Sequence, residues 1–285
     1  MPYPRWLLKP LPNQEEMHRT EWALRGLNTV CKSAACPNIS ECFANKHLTF
    51  LILGNICTRN CAFCAVTHGI PLPVDEEEVK LIVLATLNLK LTHVVITSVT
   101  RDDLVDGGAA HYASMIKALR QETAASIEVL IPDFKGKPGA LRQVVGATPQ
   151  VIGHNLETVK RLQKSIRPHA DYERSLSVLS QIKQLNGHVL TKSGLMLGLG
   201  ENDDEILETM QDIRMTGCDM LTLGQYRQPG YKQADVKRFI MEEGFKFFHD
   251  QGLAMGFRKV LAGSYVRSSL RAGEIRALLE EQGAI

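Results

Sequence analysis

The stretch "TFLILGNICTRNCAFCAV", residues 49–66, runs from an apolar, β-rich segment straight into three cysteines, Cys57, Cys61 and Cys64. A short apolar run of this kind reads as a buried strand, and the Cys-x3-Cys-x2-Cys loop at its end reads as a ligand-bearing turn. Just upstream, "CKSAACPNISECF" carries Cys31, Cys36 and Cys42 in a Cys-x4-Cys-x5-Cys spacing. Six of the seven cysteines thus fall between residues 31 and 64, and only Cys218 stands apart. Cys218, in "GCDMLTL", reads as a small buried hydrophobe at the entry to a strand.

Working outward, the length of 285 residues admits a single α/β barrel domain, and a hydrophobic content of 44% supplies an ample core. The 33 basic residues nearly balance the 31 acidic ones, which argues against a nucleic-acid binder. No apolar run reaches the roughly 18 residues of a membrane span. The start, "MPYPRWLLKPLPNQEEM", has neither the apolar core of a signal peptide nor the character of a transit peptide. A cytoplasmic, reducing location is expected, where disulfides are uncommon. An odd cysteine count in so large a fold also speaks against a disulfide framework.

Apolar β-rich runs recur at 49–53, 93–99, 126–131, 150–155, 188–197 and 219–226. Between them lie helical spacings: Val79, Ile82, Val83 and Leu87 share one face, and Ile206, Met210 and Ile213 another. Asp75 with Glu78, and Asn202 with Glu205, both read as capping boxes. Six strands alternating with helices predict a parallel sheet. The expected fold is α/β, a partial (βα)6 TIM-like barrel with N- and C-terminal extensions; a doubly wound open sheet is the rival that periodicity does not separate from it. The expected divisions are 1–48, 49–251 and 252–285. A barrel carries its chemistry at the C-terminal ends of the strands. Thr97-Ser98, His154-Asn155, Lys192-Ser193 and Gln225-Tyr226 are the polar pairs on that rim, although Asn155 also reads as a cap for a helix beginning at Leu156, and Ser98 as a strand end. The "LGLG" at 197–200 lacks the third glycine of a dinucleotide fingerprint. His47, His68 and His154 have no ligand-like spacing and read as surface residues or residues behind the site.

Structural zinc takes four protein ligands, commonly as two short-spaced pairs, and neither triplet offers two pairs. Iron–sulfur clusters take thiolates from short loops, and a cubane held by three cysteines keeps one iron open. Cys57, Cys61 and Cys64, with Phe63 before the last cysteine, match the pattern of the radical S-adenosylmethionine superfamily. Together with the upstream triplet, "TSVTRDDLVDGGA", "HNLETV", "RPHADYERSL", "TKSGLMLGLGE", "LGQYRQPG" and "VRSSLRAGE", the chain resembles the lipoyl synthase family from residue 31 to about residue 274. It departs from the family pattern at Leu270, where a tyrosine follows Arg-Ser-Ser, and at Thr100, where an acid is common.

The resemblance implies sulfur insertion at C6 and C8 of an octanoyl chain amide-linked to a lysine of a lipoyl carrier domain or H protein. An aliphatic C–H has no useful acidity, so a cofactor must carry the hard step. Two 4Fe-4S clusters and S-adenosylmethionine are implied. The cluster on Cys57, Cys61 and Cys64 would cleave S-adenosylmethionine to a 5′-deoxyadenosyl radical. A second cluster, on Cys31, Cys36, Cys42 and Ser269, would donate the sulfur, so that Cys36 and Ser269 share in catalysis. Asn155, Glu157 and Arg167 would hold the cofactor's ribose and carboxylate, Thr97 and Ser98 its methionine end, and Phe63 its adenine. Implied partners are an electron donor such as ferredoxin or flavodoxin and an iron–sulfur carrier that rebuilds the second cluster. Two other readings stay open at this point: a biotin-synthase-like sulfur inserter on a free small molecule, and a non-enzymatic electron carrier or zinc-stabilised binding module.

Overall fold

The structure, a computed structural model, describes residues 4–7 and 14–269. All six expected strands form: β1 (Thr49–Ile52), β2 (His93–Ser98), β3 (Ser126–Leu130), β4 (Val151–Gly153), β5 (Leu190–Leu197) and β6 (Met220–Gln225). A seventh, β7 (Lys259–Gly263), pairs in parallel with β6 and extends the sheet beyond the expected six. The strands lie in the order of the sequence, all parallel, and among the described residues β1 and β7 do not pair, so the barrel is open.

Three short helices precede the sheet: α1 (Gln14–Ala23), α2 (Val30–Ser33) and α3 (Ile39–Ala44). The crossovers carry α4 (Glu77–Leu89), α5 (Ala109–Glu122), α6 (Pro138–Gly146), α7 (Gln163–Ile166), α8 (Tyr172–Leu185), α9 (Asp203–Met215) and α10 (Glu242–Ala254). The core lies between the outer face of the sheet and these helices, in one cluster around β1–β4 with α4–α6 and a second around β5–β7 with α8–α10. Ile206, Met210 and Ile213 of α9 are fully buried in the second cluster, as their spacing predicts. Each such side chain contributes about 1.5–3 kcal/mol by leaving water. Cys218 is fully buried beside them, and burial pushes its thiol up to about 12.

The α9 capping box forms: the Glu205 amide donates to Asn202 Oδ1 (2.9 Å) and the Asn202 amide to Glu205 Oε2 (2.9 Å). The box expected at α4 does not. Asp75 Oδ1 takes the Glu77 amide instead (3.0 Å), while Glu78 turns inward to accept from the Leu53 amide (2.8 Å) and lies 2.9 Å from His111 Nε2. The buried Leu53 N–H, left without a sheet partner where β1 ends, needs an acceptor more than the helix end does. On the expected apolar face of α4, Ile82 and Val83 are buried, whereas Leu87 is exposed. No helix of the described residues is long and apolar enough to cross a membrane.

The inner face of the barrel is more polar than the outer. Lys192 on β5 and Glu128 on β3 are both buried and meet across β4 at 2.6 Å, with His93 Nε2 3.5 Å from the same carboxylate. Burial alone would raise the Glu128 carboxyl, but the Lys192 charge and the His93 contact hold it below its ordinary value. Further along the same face of β5 and β6 stand Gly194 and Gly224, which open the C-terminal end into a chamber.

Candidate active site

The cysteine loop begins at a sharp reversal. Leu53 (φ +66°) and Gly54 (φ +88°) both take left-handed backbone as β1 ends. Leu53 is held there from both sides, its amide by Glu78 and its carbonyl by Arg101 Nη1 (3.2 Å). The loop is then fastened at several points. Cys57 bonds backbone-to-backbone with Thr67 and Gly69, Thr58 with Thr100, and Ala62 with Ile166 and Ala234. The amides of Arg59 (3.4 Å) and Thr100 (3.3 Å) point at Cys57 Sγ. Such N–H donors stabilise sulfur that carries negative charge.

Between the cysteines, Arg59 is 7% exposed and anchors the loop to two other strand ends. Its Nε and Nη2 bind Asp102 (2.7 and 3.0 Å), and Nη2 also reaches Asp133 (2.7 Å). Asp133 completes its shell with Arg174 (3.1 Å). Burial would raise the Asp133 carboxyl, but Arg59 holds it well below the usual carboxylate range.

Cys57, Cys61 and Cys64 line a cavity of about 220 Å³ at the C-terminal ends of β1–β4. Burial pushes the Cys61 thiol up and the Cys64 thiol to about 12, and the neighbouring cysteines add to both shifts. Three thiolates lining one half-buried cavity require a cationic group beside them, and ligation displaces their protons. Among the described residues no three His, Cys, Asp or Glu side chains converge as a single metal ion would need. The donor set suits a cluster, whose irons spread their thiolates apart.

Thr97, Ser98, Asn155, Glu157, Arg167 and Phe63 all line this same cavity. Thr97 spends its hydroxyl hydrogen on the Leu130 carbonyl (3.0 Å), and Arg167 donates to the Leu156 carbonyl (2.8 Å). No helix follows Asn155; its Nδ2 donates to Glu157 Oε1 (3.0 Å) and Ser268 Oγ (2.6 Å). Glu157 sits at φ +65°, held by backbone bonds to Gly194 and Met196 (both 2.9 Å). Burial raises its carboxyl above the ordinary value, with Arg167 and Asn155 opposing. Ser98 Oγ, Asn155 Oδ1 and His154 Nε2 are buried there without a partner. Buried polar atoms are nearly always satisfied, so these three fit a polar ligand.

His47 and His68 are exposed, as their isolated positions suggested, but His154 is not behind the site. It is 1% exposed and lines the cavity; its Nδ1 donates to the Ile131 carbonyl (2.9 Å), which leaves Nε2 as an acceptor. Burial, with Arg167 nearby, lowers its pKa to about 4, so it is neutral. The Arg59, Asp102 and Asp133 clamp also escaped the sequence reading. "TSVTRDD" marked the region, but nothing in a linear pattern pairs residue 59 with 102 and 133. Lys192 and Gln225, placed on the rim by sequence, serve the frame instead: Lys192 pairs with Glu128, and Gln225 Nε2 bonds the carbonyls of Leu197, Tyr226 and Arg238.

A second cavity, of about 400 Å³, adjoins the first. Phe63, Cys64, Thr97, Leu130, Asn155 and Glu157 belong to both, so the two are lobes of one chamber. Cys31, Cys36, Ser268 and Ser269 line the second lobe. Cys42 is buried on α3 and lies outside that lining. Burial, then the neighbouring Cys36, pushes the Cys31 thiol up to about 11. Leu270 falls outside the described residues.

The Radical SAM superfamily matches residues 51–213, from β1 through α9. Streptococcus suis SuiB bound to S-adenosylmethionine has a similar fold, with a TM-score of 0.61 at 12% identity over 87% of this chain and 60% of that one. An open parallel barrel with a three-cysteine loop at the end of its first strand thus defines a radical S-adenosylmethionine enzyme. Lipoyl synthase of Caldanaerobacter subterraneus subsp. tengcongensis is 51% identical over 94% of this chain and 95% of its own length. That of Pseudomonas fluorescens is 46% identical over 98% of this chain and 83% of its own. The chain belongs to the lipoyl synthase family and is a radical enzyme of sulfur insertion, for which the family implies a 4Fe-4S cluster and S-adenosylmethionine.

Proposed function

We propose that the chain inserts sulfur at C6 and C8 of an octanoyl group amide-linked to a lysine of a lipoyl carrier domain or H protein. A second 4Fe-4S cluster, held by Cys31, Cys36, Cys42 and Ser269, is the sulfur donor. The observation that carries this reading is the shared chamber: Cys57, Cys61 and Cys64 line one lobe, and Cys31 and Cys36 of the second triplet line the other. A carbon activated at one lobe would find its sulfur source in the other without leaving protein.

S-adenosylmethionine at a 4Fe-4S cluster supplies one-electron chemistry able to remove hydrogen from an unactivated carbon. The chain's own residues bind, orient and shield. Cys57, Cys61 and Cys64 hold the cluster that leaves one iron open. Arg167 and Glu157 offer opposite charges to the amino-acid and ribose ends of the cofactor, with Asn155 Oδ1 as a further acceptor. Ser98 and Thr97 face its methionine end, and Phe63 packs on its adenine. An Arg–carboxylate contact is charge-assisted and directional. Apolar residues of the second lobe, among them Val30, Pro37, Met196 and Val266, suit an acyl chain and keep water from it.

On this reading residues up to 48 bring the second triplet, the catalytic barrel starts at 49 and runs past the expected boundary at 251 to include β7, and residues 264–269 lie over its mouth; 270–285 fall outside the described residues. A reductant such as ferredoxin or flavodoxin, and an iron–sulfur carrier that restores the second cluster, are the remaining partners, in keeping with a reducing cytoplasm.

The test is anaerobic reconstitution followed by a single turnover on an octanoyl-lysine peptide, read by mass. Two cubanes give about eight irons per chain, and the peptide should gain two sulfurs. Free octanoate should react little, because the lysine arm spans from the carrier surface to the chamber. Equal turnover of the free acid would favour a small-molecule substrate, and zinc in place of iron would remove the proposal altogether.

A further inference from the structure

The segment that follows β7 crosses the open side of the barrel and touches both halves of the site. At one end, Asn38 Nδ2 donates to the Tyr265 carbonyl (2.7 Å). Asn38 is 1% exposed and stands between Cys36 and Cys42, in a segment that lies against the free edge of β1 through the Thr29–Phe50 bridge. Two segments, one from each unpaired edge of the sheet, are therefore joined by this bond. At the other end, Ser268 Oγ accepts from Asn155 Nδ2 (2.6 Å), and Asn155 Nδ2 also donates to Glu157.

The barrel is shaped to receive this segment. A Cβ on Gly224 would collide with the Val266 carbonyl. One on Gly194 would lie 2.5 Å from Thr222 Oγ1, 3.0 Å from Ser268 Oγ and 3.1 Å from Asn155 Oδ1. Contacts that close have no room for any side chain, so both glycines serve the seating of Val266–Ser268.

We propose that Ser268 is a positioning residue, through which occupation of the Asn155–Glu157 site is relayed along Tyr265–Ser268 to the upstream cysteine loop. The inference rests on the cofactor site proposed above. Asn155 directs Nδ2 to Glu157 and Ser268 while its Oδ1 is buried and unpartnered. A donor arriving at Oδ1 fixes the plane of the amide, and a fixed amide aims Nδ2–H at Ser268. The strap then holds Tyr265 on Asn38, and through it the loop of Cys36. The chain would order its sulfur-donor side most fully when the cofactor is present.

Hydrogen exchange on the anaerobically reconstituted full chain, with and without S-adenosylmethionine and without reductant, tests this. In the wild type the cofactor should slow exchange in both 264–269 and 36–42, by about tenfold, the scale of one hydrogen bond. Ser268→Ala removes only a hydroxyl. It should bind the cofactor within about threefold of wild type, since one neutral hydrogen bond is lost outside the direct contacts, yet show no cofactor-dependent slowing at 36–42. Binding without slowing in the wild type would overturn the relay and leave the cofactor site standing. Full slowing at 36–42 in Ser268→Ala would do the same. Absence of any cofactor binding by the wild type would overturn both.

Discussion

Arg59 and Asp102, 43 residues apart, form a two-point clamp, with Nε on Oδ2 at 2.7 Å and Nη2 on Oδ1 at 3.0 Å. The clamp ties the middle of the Cys57–Cys64 loop to the end of β2. Because Nη2 also holds the fully buried Asp133 side chain, removal of Arg59 leaves that carboxylate with Arg174 as its remaining charged partner. Breaking a fully buried pair from one side costs about 3–5 kcal/mol, and the Arg174 contact to Asp133 brings the cost here below that range. Arg59→Leu should therefore lower the melting temperature and retain less iron after reconstitution, measured side by side. Arg59→Lys should recover only part of both, because an ammonium cannot grip two carboxylates in that plane. A variant with wild-type melting and iron content would show the clamp to be idle.

His154 makes the fold sensitive to mild acid. Its folded pKa is depressed to about 4 from an ordinary 6.5, so folding excludes a proton that the unfolded chain takes up between those values. Stability contributed by the neutral ring is complete above the unfolded value and falls as pH drops from about 6.5 toward about 4. The cluster-free chain should lose stability over that window, and His154→Gln should lose less of it. Denaturant midpoints taken at several pH values decide the matter; parallel slopes for the two proteins would sink the idea.

The two triplets should divide the labour. Cys61→Ala removes a proposed cluster ligand of the first lobe and should abolish cleavage of S-adenosylmethionine. Cys36→Ala should still release 5′-deoxyadenosine but form no sulfur-bearing product. Chromatography of the nucleoside beside mass analysis of the peptide separates these outcomes. Thiolation by Cys36→Ala would remove the donor role from the second lobe.

Ser269 and Ser268 both border the second lobe, but Ser268 is engaged by Asn155. The family resemblance implies Ser269 as the ligand of the second cluster, with Ser268 as the alternative, and the bond from Asn155 to Ser268 accords with that order. An alkoxide is a harder ligand than a thiolate and suits iron–sulfur less well, so it leaves more readily when sulfur is withdrawn. Ser269→Cys should assemble the cluster yet slow sulfur transfer, and Ser269→Ala should lose more activity than Ser268→Ala. A wild-type rate for Ser269→Ala in anaerobic product assays would exclude the ligand role.

Much of this protein follows from the sequence alone, because the interactions concerned are local or periodic. The six strands and the inward face of α9 come from spacing, and the Asn202–Glu205 box from residues three apart. The triplets and the "VRSSL" stretch identified the family before any coordinate, since ligand spacing on one loop is itself linear information. Only the tertiary structure decided the rest. Glu78 abandons a helix cap for the Leu53 amide, because desolvating an unpaired N–H outweighs a cap on an exposed helix end. Lys192 and Glu128 close a buried pair inside the barrel, Arg59 finds Asp102 and Asp133, and β7 joins the sheet. Asn38 and Tyr265 lie 227 residues apart, and their bond arises only where the two unpaired edges of an open barrel come near each other. Buried charges and strap contacts depend on which strand ends meet, and that is settled by the order and curvature of the open sheet rather than by any stretch of neighbouring residues.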